Sequence, residues 1–175
     1  MKEWIKDIAI ALVIAIVIIQ FIKPTIVKQS SMEPNFYDSD YLFVSKQSYR
    51  FSEPKRGDVV VFHSSLLQEN GEEKLLIKRV IGLPGEEIDI IDEMVYVDGK
   101  MLEEEYTMDG TTYGDIKDLV VPEGEYFCMG DNRDVSIDSR DPEVGCITKE
   151  QMVGKVVFRL FPLKEFGTIK NPYEE

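Results

Sequence analysis

Residues Ile8 to Phe21 read IAIALVIAIVIIQF and are apolar on every side. A helix lying on a protein surface would carry a polar stripe, so this run is not amphipathic. Extended from Trp4 to Val27, it reaches the short end of the length that crosses a bilayer as one helix. Lys6 and Asp7 stand near one end, and Lys23 and Pro24 near the other, where long charged side chains reach the interface. A removable leader would show small residues just after the run, whereas Gln20-Phe21-Ile22-Lys23-Pro24 is bulky. An uncleaved anchor over residues 1–27 is therefore expected. Lys2 and Lys6 before the run balance Lys23 and Lys28 after it, so loop charge leaves the orientation tied.

Beyond Val27 the pattern becomes strand-like. Tyr41–Val44, Val59–Phe62, Leu75–Ile81, Ile88–Ile91, Met94–Val97, Tyr126–Met129 and Lys155–Phe161 are β-branched or aromatic runs bounded by turn residues. Asp98-Gly99 is a strong hairpin signal before Lys100-Met101-Leu102. Many short strands with such punctuation predict a mainly antiparallel β domain over residues 28–175. The stretch 103–117 is rich in Glu, Asp, Gly and Thr and reads as an inserted loop. Lys164 to Glu175 reads as a polar tail.

Charge narrows the partners. The 175 residues carry a formal net charge of -13, which repels a phosphate backbone, so nucleic acid is not expected. Two cysteines, Cys128 and Cys146, are too few for a disulfide framework, and pairing or two free thiols both stay open. One histidine and no Cys-His cluster leave no ligand set for a structural zinc site, and no phosphate-cradling loop is present. No metal or cofactor is expected.

Hydrolytic chemistry needs a nucleophile, a base and a place for the oxyanion. His63, the single histidine, follows the Val59–Phe62 run and reads as a surface residue. The remaining route is a serine activated by lysine. An ordinary lysine is protonated at neutral pH, and burial in an apolar wall lowers its pKa. Bringing it from about 10.4 to about 7 costs roughly 4 to 5 kcal/mol, which the fold must supply. Lys78 sits in Leu75-Leu76-Ile77-Lys78-Arg79-Val80-Ile81, and the alternation allows it to point inward or to solvent. Ser31 lies in Gln29-Ser30-Ser31-Met32-Glu33-Pro34-Asn35, just past the anchor, where Pro34 restrains the loop.

Taken together these segments resemble the bacterial type I signal peptidases, a family of serine proteases with a Ser-Lys dyad. Ser31-Met32-Glu33-Pro34 resembles the family's nucleophile motif, and Arg56-Gly57-Asp58-Val59-Val60-Val61-Phe62 a second box. Lys78 to Glu86, KRVIGLPGE, resembles the box bearing the general base. Gly130 to Arg140, GDNRDVSIDSR, resembles the last box. The resemblance implies Ser31 as nucleophile and Lys78 as base. It places Ser136 where a hydroxyl orients the lysine nitrogen. Asp138 and Arg140 then buttress the site, and Arg79 with Asp131 forms a second such pair. Three positions depart from the pattern: Asn35 replaces a common Thr, Val135 replaces the usual Asn, and Gln29 replaces a Ser or Gly that often helps hold the oxyanion. The backbone N–H of Ser31 remains as one donor, and the side-chain amide of Gln29 is the candidate for the second.

The resemblance also implies an antiparallel β catalytic domain of signal-peptidase type behind one transmembrane helix. It implies a single-pass cell-membrane protein with that domain on the extracytoplasmic face, which breaks the tie left by the lysines. Its partners would be the lipid bilayer and the signal peptides of exported preproteins, cut by acyl transfer with small side chains at the first and third positions before the cut. Residues that bind the peptide are not assigned. Self-cleaving repressors also use Ser and Lys, but they carry a DNA-binding segment where this chain carries an apolar run. The alternative from another class is a catalytically inactive, anchored homologue that acts as a binding protein.

Overall fold

The computed structural model describes residues 2–174, without the side chains of residues 2, 3 and 13–19. Among the described residues one α-helix, α1 (Lys2–Phe21), leads into twelve strands, with three short 3-10 turns between them: β1 (Ile22–Ile26), β2 (Tyr41–Ser45), β3 (Val59–Leu67), β4 (Glu73–Gly82), β5 (Glu87–Ile91), β6 (Met94–Val97), β7 (Lys100–Met101), β8 (Ile116–Val120), β9 (Glu125–Met129), β10 (Ile147–Thr148), β11 (Met152–Phe161) and β12 (Gly167–Thr168). Every described ladder is antiparallel, as the short, punctuated runs predict.

The expected span from Trp4 to Val27 is not helical throughout. The helix ends at Phe21, and residues 22–26 form β1, which pairs with β2 in the register Pro24↔Phe43. Pro24 lacks an N–H and disfavours helix, yet an edge strand tolerates it. Among the described residues no helix is long and apolar enough to cross a membrane. The centre of the apolar run, the side chains of residues 13–19, lies outside the described residues.

The large sheet runs in the order β1-β2-β11-β3-β4-β9-β10, with β12 added on β11. Its centre is buried on both faces. Val60 and Phe62 of β3 pack with Leu76, Val80, Tyr126 and Cys128. Val59 and Val61 pack on the other side with Met32, Phe36, Val44 and Val156. A smaller sheet, in the order β7-β6-β5-β8, packs Ile88, Ile90, Val95 and Val97 against Phe127 and Met129 of β9. Asp98 and Gly99 both take positive φ, 50° and 71°, and close the β6–β7 hairpin where the sequence signals it.

The stretch expected as a loop over 103–117 is irregular up to residue 115, and β8 then begins at Ile116 and pairs with β5. The polar tail is docked rather than loose. Asn171 Nδ2 donates to the Arg56 carbonyl at 2.9 Å and to Asp58 Oδ1 at 3.0 Å. Tyr173 donates its hydroxyl to the Glu103 carbonyl at 2.9 Å. Cys128 and Cys146 are free, and Cys128 is fully buried among apolar side chains.

Candidate active site

β4 carries Lys78, and its neighbours explain the lysine's setting. Side chains alternate along a strand, so Lys78 shares a face with Leu76 and Val80, both buried. Val60 lies opposite it on β3. Only 2% of Lys78 is exposed, which settles the choice between wall and solvent. Burial pushes its amine down from 10.5 to about 8, and the nearby charges of Lys74 and Arg140 push the same way. The carboxylates of Asp138 and Asp131 oppose the shift without cancelling it. The amine is therefore held closer to neutrality than any surface lysine.

Ser31 sits in the loop between β1 and β2 and is 9% exposed. Met32 and Phe36 fix this loop by inserting into the core beneath it. The outcome is a direct contact: Lys78 Nζ lies 2.7 Å from Ser31 Oγ. Two residues 47 apart in the chain are thus within hydrogen-bond reach, at the distance a base needs to take a hydroxyl proton.

The last box packs behind this pair. The N–H of Asn132 donates to the Ser31 carbonyl at 3.1 Å. A Cβ placed on Gly130 would overlap both Ser136 and the Ser31 carbonyl, so only glycine fits there. Asp138 accepts from the Gly130 N–H at 3.0 Å and from Arg140 at 2.9 Å. Burial raises its pKa, but the Arg140 bonds and charge outweigh that and leave it below the usual carboxylate range. Arg140 also donates to the carbonyls of Tyr113 at 2.9 Å and Arg133 at 2.8 Å, tying the irregular 103–115 stretch to the box.

Arg79 and Asp131 form the second pair, with two bonds of 2.8 and 2.6 Å and both side chains buried. Asn35, one of the departures from the family pattern, donates to Asp131 at 2.9 Å and to the Tyr106 carbonyl at 2.6 Å. Tyr106 in turn lies under the Arg79 guanidinium, 4.3 Å from ring centroid to carbon.

Not every expected residue lands in an expected contact. Ser136 Oγ is buried and makes no hydrogen bond among the described residues. Gln29 has φ 74°, and its N–H is taken by Asp38 at 3.1 Å, while the residue lines the cleft beside Ser31. His63 is exposed, with Nδ1 3.2 Å from a Glu73 carboxylate oxygen, away from the site. Sequence reasoning placed Asn132 and Arg133 in the last box without giving them a role, and it missed Tyr106, the Asn132 contact to Ser31 and the buried Arg133–Glu104 pair at 2.5 Å. Their contacts join segments far apart in the chain, and no local pattern signals them.

Two clefts of about 300 Å³ each flank the Ser31–Lys78 contact. One runs between Thr25–Gln29 and Leu75–Lys78. The other is bounded by Ser30, Val135 and Ile137. β4 pairs with β9 only from Arg79 onward, so its edge from Glu73 to Lys78 is open on that side.

Comparison with known proteins agrees with this architecture. The family model described as "Signal peptidase, peptidase S26" matches residues 1–161. A signal peptidase I of Bacillus licheniformis is 38% identical over 175 residues, covering 93% of this chain and 90% of the relative. A signal peptidase IB of Staphylococcus aureus (strain COL) is 37% identical over 188 residues, covering 97% and 94%. The crystal structure of a signal peptidase I from Enterococcus faecalis V583 superposes with a TM-score of 0.50 at 30% identity, covering 60% of this chain and 97% of that one. Buried lysine, adjacent serine, β scaffold and near full-length similarity all converge: the chain belongs to the signal peptidase family, peptidase S26, and is a serine protease of that family.

Proposed function

We propose that the protein removes N-terminal signal peptides from exported preproteins by acyl transfer, with Ser31 as nucleophile and Lys78 as general base. The observation that carries this reading is the 2.7 Å contact between a serine hydroxyl and an amine sealed from water. Neutral Lys78 takes the Ser31 proton as the hydroxyl attacks the scissile carbonyl. The same amine, now charged, protonates the leaving nitrogen, and water then attacks the ester with Lys78 again as base. The Ser31 N–H donates to the oxyanion, and the Gln29 amide is the second donor proposed.

Asp138 and Arg140 act on Lys78 through their charges, and Arg79 with Asp131 holds the nucleophile loop through Asn35. Groups one layer out hold a site's geometry without touching the substrate. The preprotein adds as an extended strand to the open edge of β4, a mode in which backbone bonds supply affinity and alternate side chains supply selectivity. Residues 1–27 serve as a single membrane anchor that keeps the catalytic part, residues 28–175, on the extracytoplasmic face. Confinement to that surface raises the enzyme's concentration where signal peptides emerge. An intact dyad argues against the inactive binding homologue, because a protein without catalysis has no need to keep a lysine buried at this cost.

The test is cleavage of a preprotein by the wild type, Ser31→Ala and Lys78→Ala, with sequencing of the product's new N-terminus. Both variants should leave the preprotein intact while the domain stays folded. Wild-type activity in either one removes the dyad.

A further inference from the structure

We infer that Lys74 makes this enzyme prefer preproteins with an acidic side chain about four residues from the scissile bond, in the strand that lies along β4. The inference deepens the proposed peptidase function and rests on it.

Charge distribution is the first observation. The chain carries 33 acidic residues against 20 lysines and arginines. Neither cleft beside the dyad follows that balance. Lys28, Lys74 and Lys78 line the cleft along β4, Lys74 and Lys78 line the other, and no carboxylate lines either one. With the Lys78 amine held near neutrality, Lys28 and Lys74 still give an otherwise acidic protein a locally positive channel, and such a channel selects by charge as well as by shape.

Position is the second. Lys74, Leu76 and Lys78 occupy alternate places on β4, so they stand on one face of the strand. Lys74 is four residues from the base, about 13 Å at strand spacing. It borders both clefts, and its charge is felt at Lys78, where it helps hold the amine near neutrality. A peptide paired to the open edge of β4 with its cut bond at Ser31 passes Lys74 at that distance.

Availability is the third. Lys74 is half-buried, and no carboxylate lies within 4.0 Å of it among the described residues. Its neighbour Glu73 points instead to His63. Lys28 on the opposite wall is exposed, so its charge is better screened. A half-buried cation with no partner, in a peptide-sized groove, gains most from an incoming carboxylate.

The experiment uses the full-length enzyme in detergent and a set of preprotein peptides with Asp, Asn or Lys placed in turn at each of six positions on either side of the cut. The readout is the Asp/Asn ratio of kcat/KM within each enzyme variant, which cancels any general loss of activity. The wild type should favour Asp at one or two adjacent positions by about two- to fivefold, the range for a partly exposed ion pair, and the preference should fade in 0.5 M salt. Lys74→Gln should bring the ratio to about one, and Lys74→Glu should invert it in favour of Lys. Equal cleavage of Asp and Asn peptides by the wild type overturns the inference while leaving the peptidase reading intact. So does a preference that survives in Lys74→Gln or vanishes in Lys28→Gln alone. Failure of the wild type to cleave any peptide overturns the peptidase reading itself.

Discussion

The backbone N–H of Asn132 donates to the carbonyl oxygen of Ser31 at 3.1 Å, so the last box of the sequence holds Ser31 by its main chain. Gly130, two residues earlier, presses against the same carbonyl and against Ser136. The serine's position is therefore set by backbone packed on backbone, which leaves little freedom for the hydroxyl to drift from Lys78.

Gly130→Ala tests that arrangement. The added methyl overlaps main-chain atoms that cannot rotate away, so the Ser31 loop must shift. A displacement near 1 Å at reacting atoms costs on the order of 100-fold in rate. We expect kcat to fall by that order with KM little changed, measured on a cleavable preprotein peptide. An unaltered kcat would mean that the loop is not held as described.

Activity should rise with pH through the titration of Lys78. Burial sets its pKa at about 8, and only the neutral amine accepts a proton. The kcat/KM profile should show an acid limb with a midpoint near 8, flattening above it. Lys74→Gln removes a repelling charge and should move that midpoint upward. A limb centred below pH 6 would point to a carboxylate instead.

Lys78 should also weaken the fold it serves. Its pKa is about 8 folded and 10.5 in the exposed reference state. The unfolded chain therefore binds more protons between those values, and stability increases as pH rises through that window. Below pH 8 the full penalty applies, about 3 kcal/mol at 1.36 kcal/mol per unit. Lys78→Met keeps the apolar stem without the charge. It should be inactive yet more stable than wild type at pH 7 by up to about 3 kcal/mol, with the gain shrinking toward pH 10.5. Urea unfolding at several pH values reads this directly.

The Arg79–Asp131 pair should resist being halved. Asp131→Asn leaves a buried guanidinium without its counter-charge, which typically costs about 3–5 kcal/mol. Arg79→Met leaves the buried carboxylate alone at a similar cost. The double change should cost less than the sum of the two, and denaturant midpoints for the four proteins give the coupling.

Much of this was legible in the chain. The alternating runs placed most of the strands, and Asp98-Gly99 placed a hairpin, because side-chain period and turn sterics are local properties. The short motifs around Ser31, Lys78 and Gly130–Arg140 marked the segments that the fold brings together. β1 was hidden because Ile22–Ile26 continues an apolar helix and becomes a strand only when β2 pairs with it. β8 was hidden in a polar stretch, since its pairing with β5 outweighs a weak local preference.

What the residues determined by themselves was the kind of site: a serine, a lysine in an apolar run and a β scaffold to hold them. They did not determine which way Lys78 points, since alternation permits either face. Tertiary structure decided that by stacking Leu76, Val80 and Val60 around its stem and bringing Ser31 to its tip. It also decided that Asn35, marked in sequence only as a departure from the family pattern, and Tyr106, unremarkable there, grip Asp131 and Arg79. Desolvation and contact across 47 residues are properties of the packed interior, and no local stretch of chain carries them.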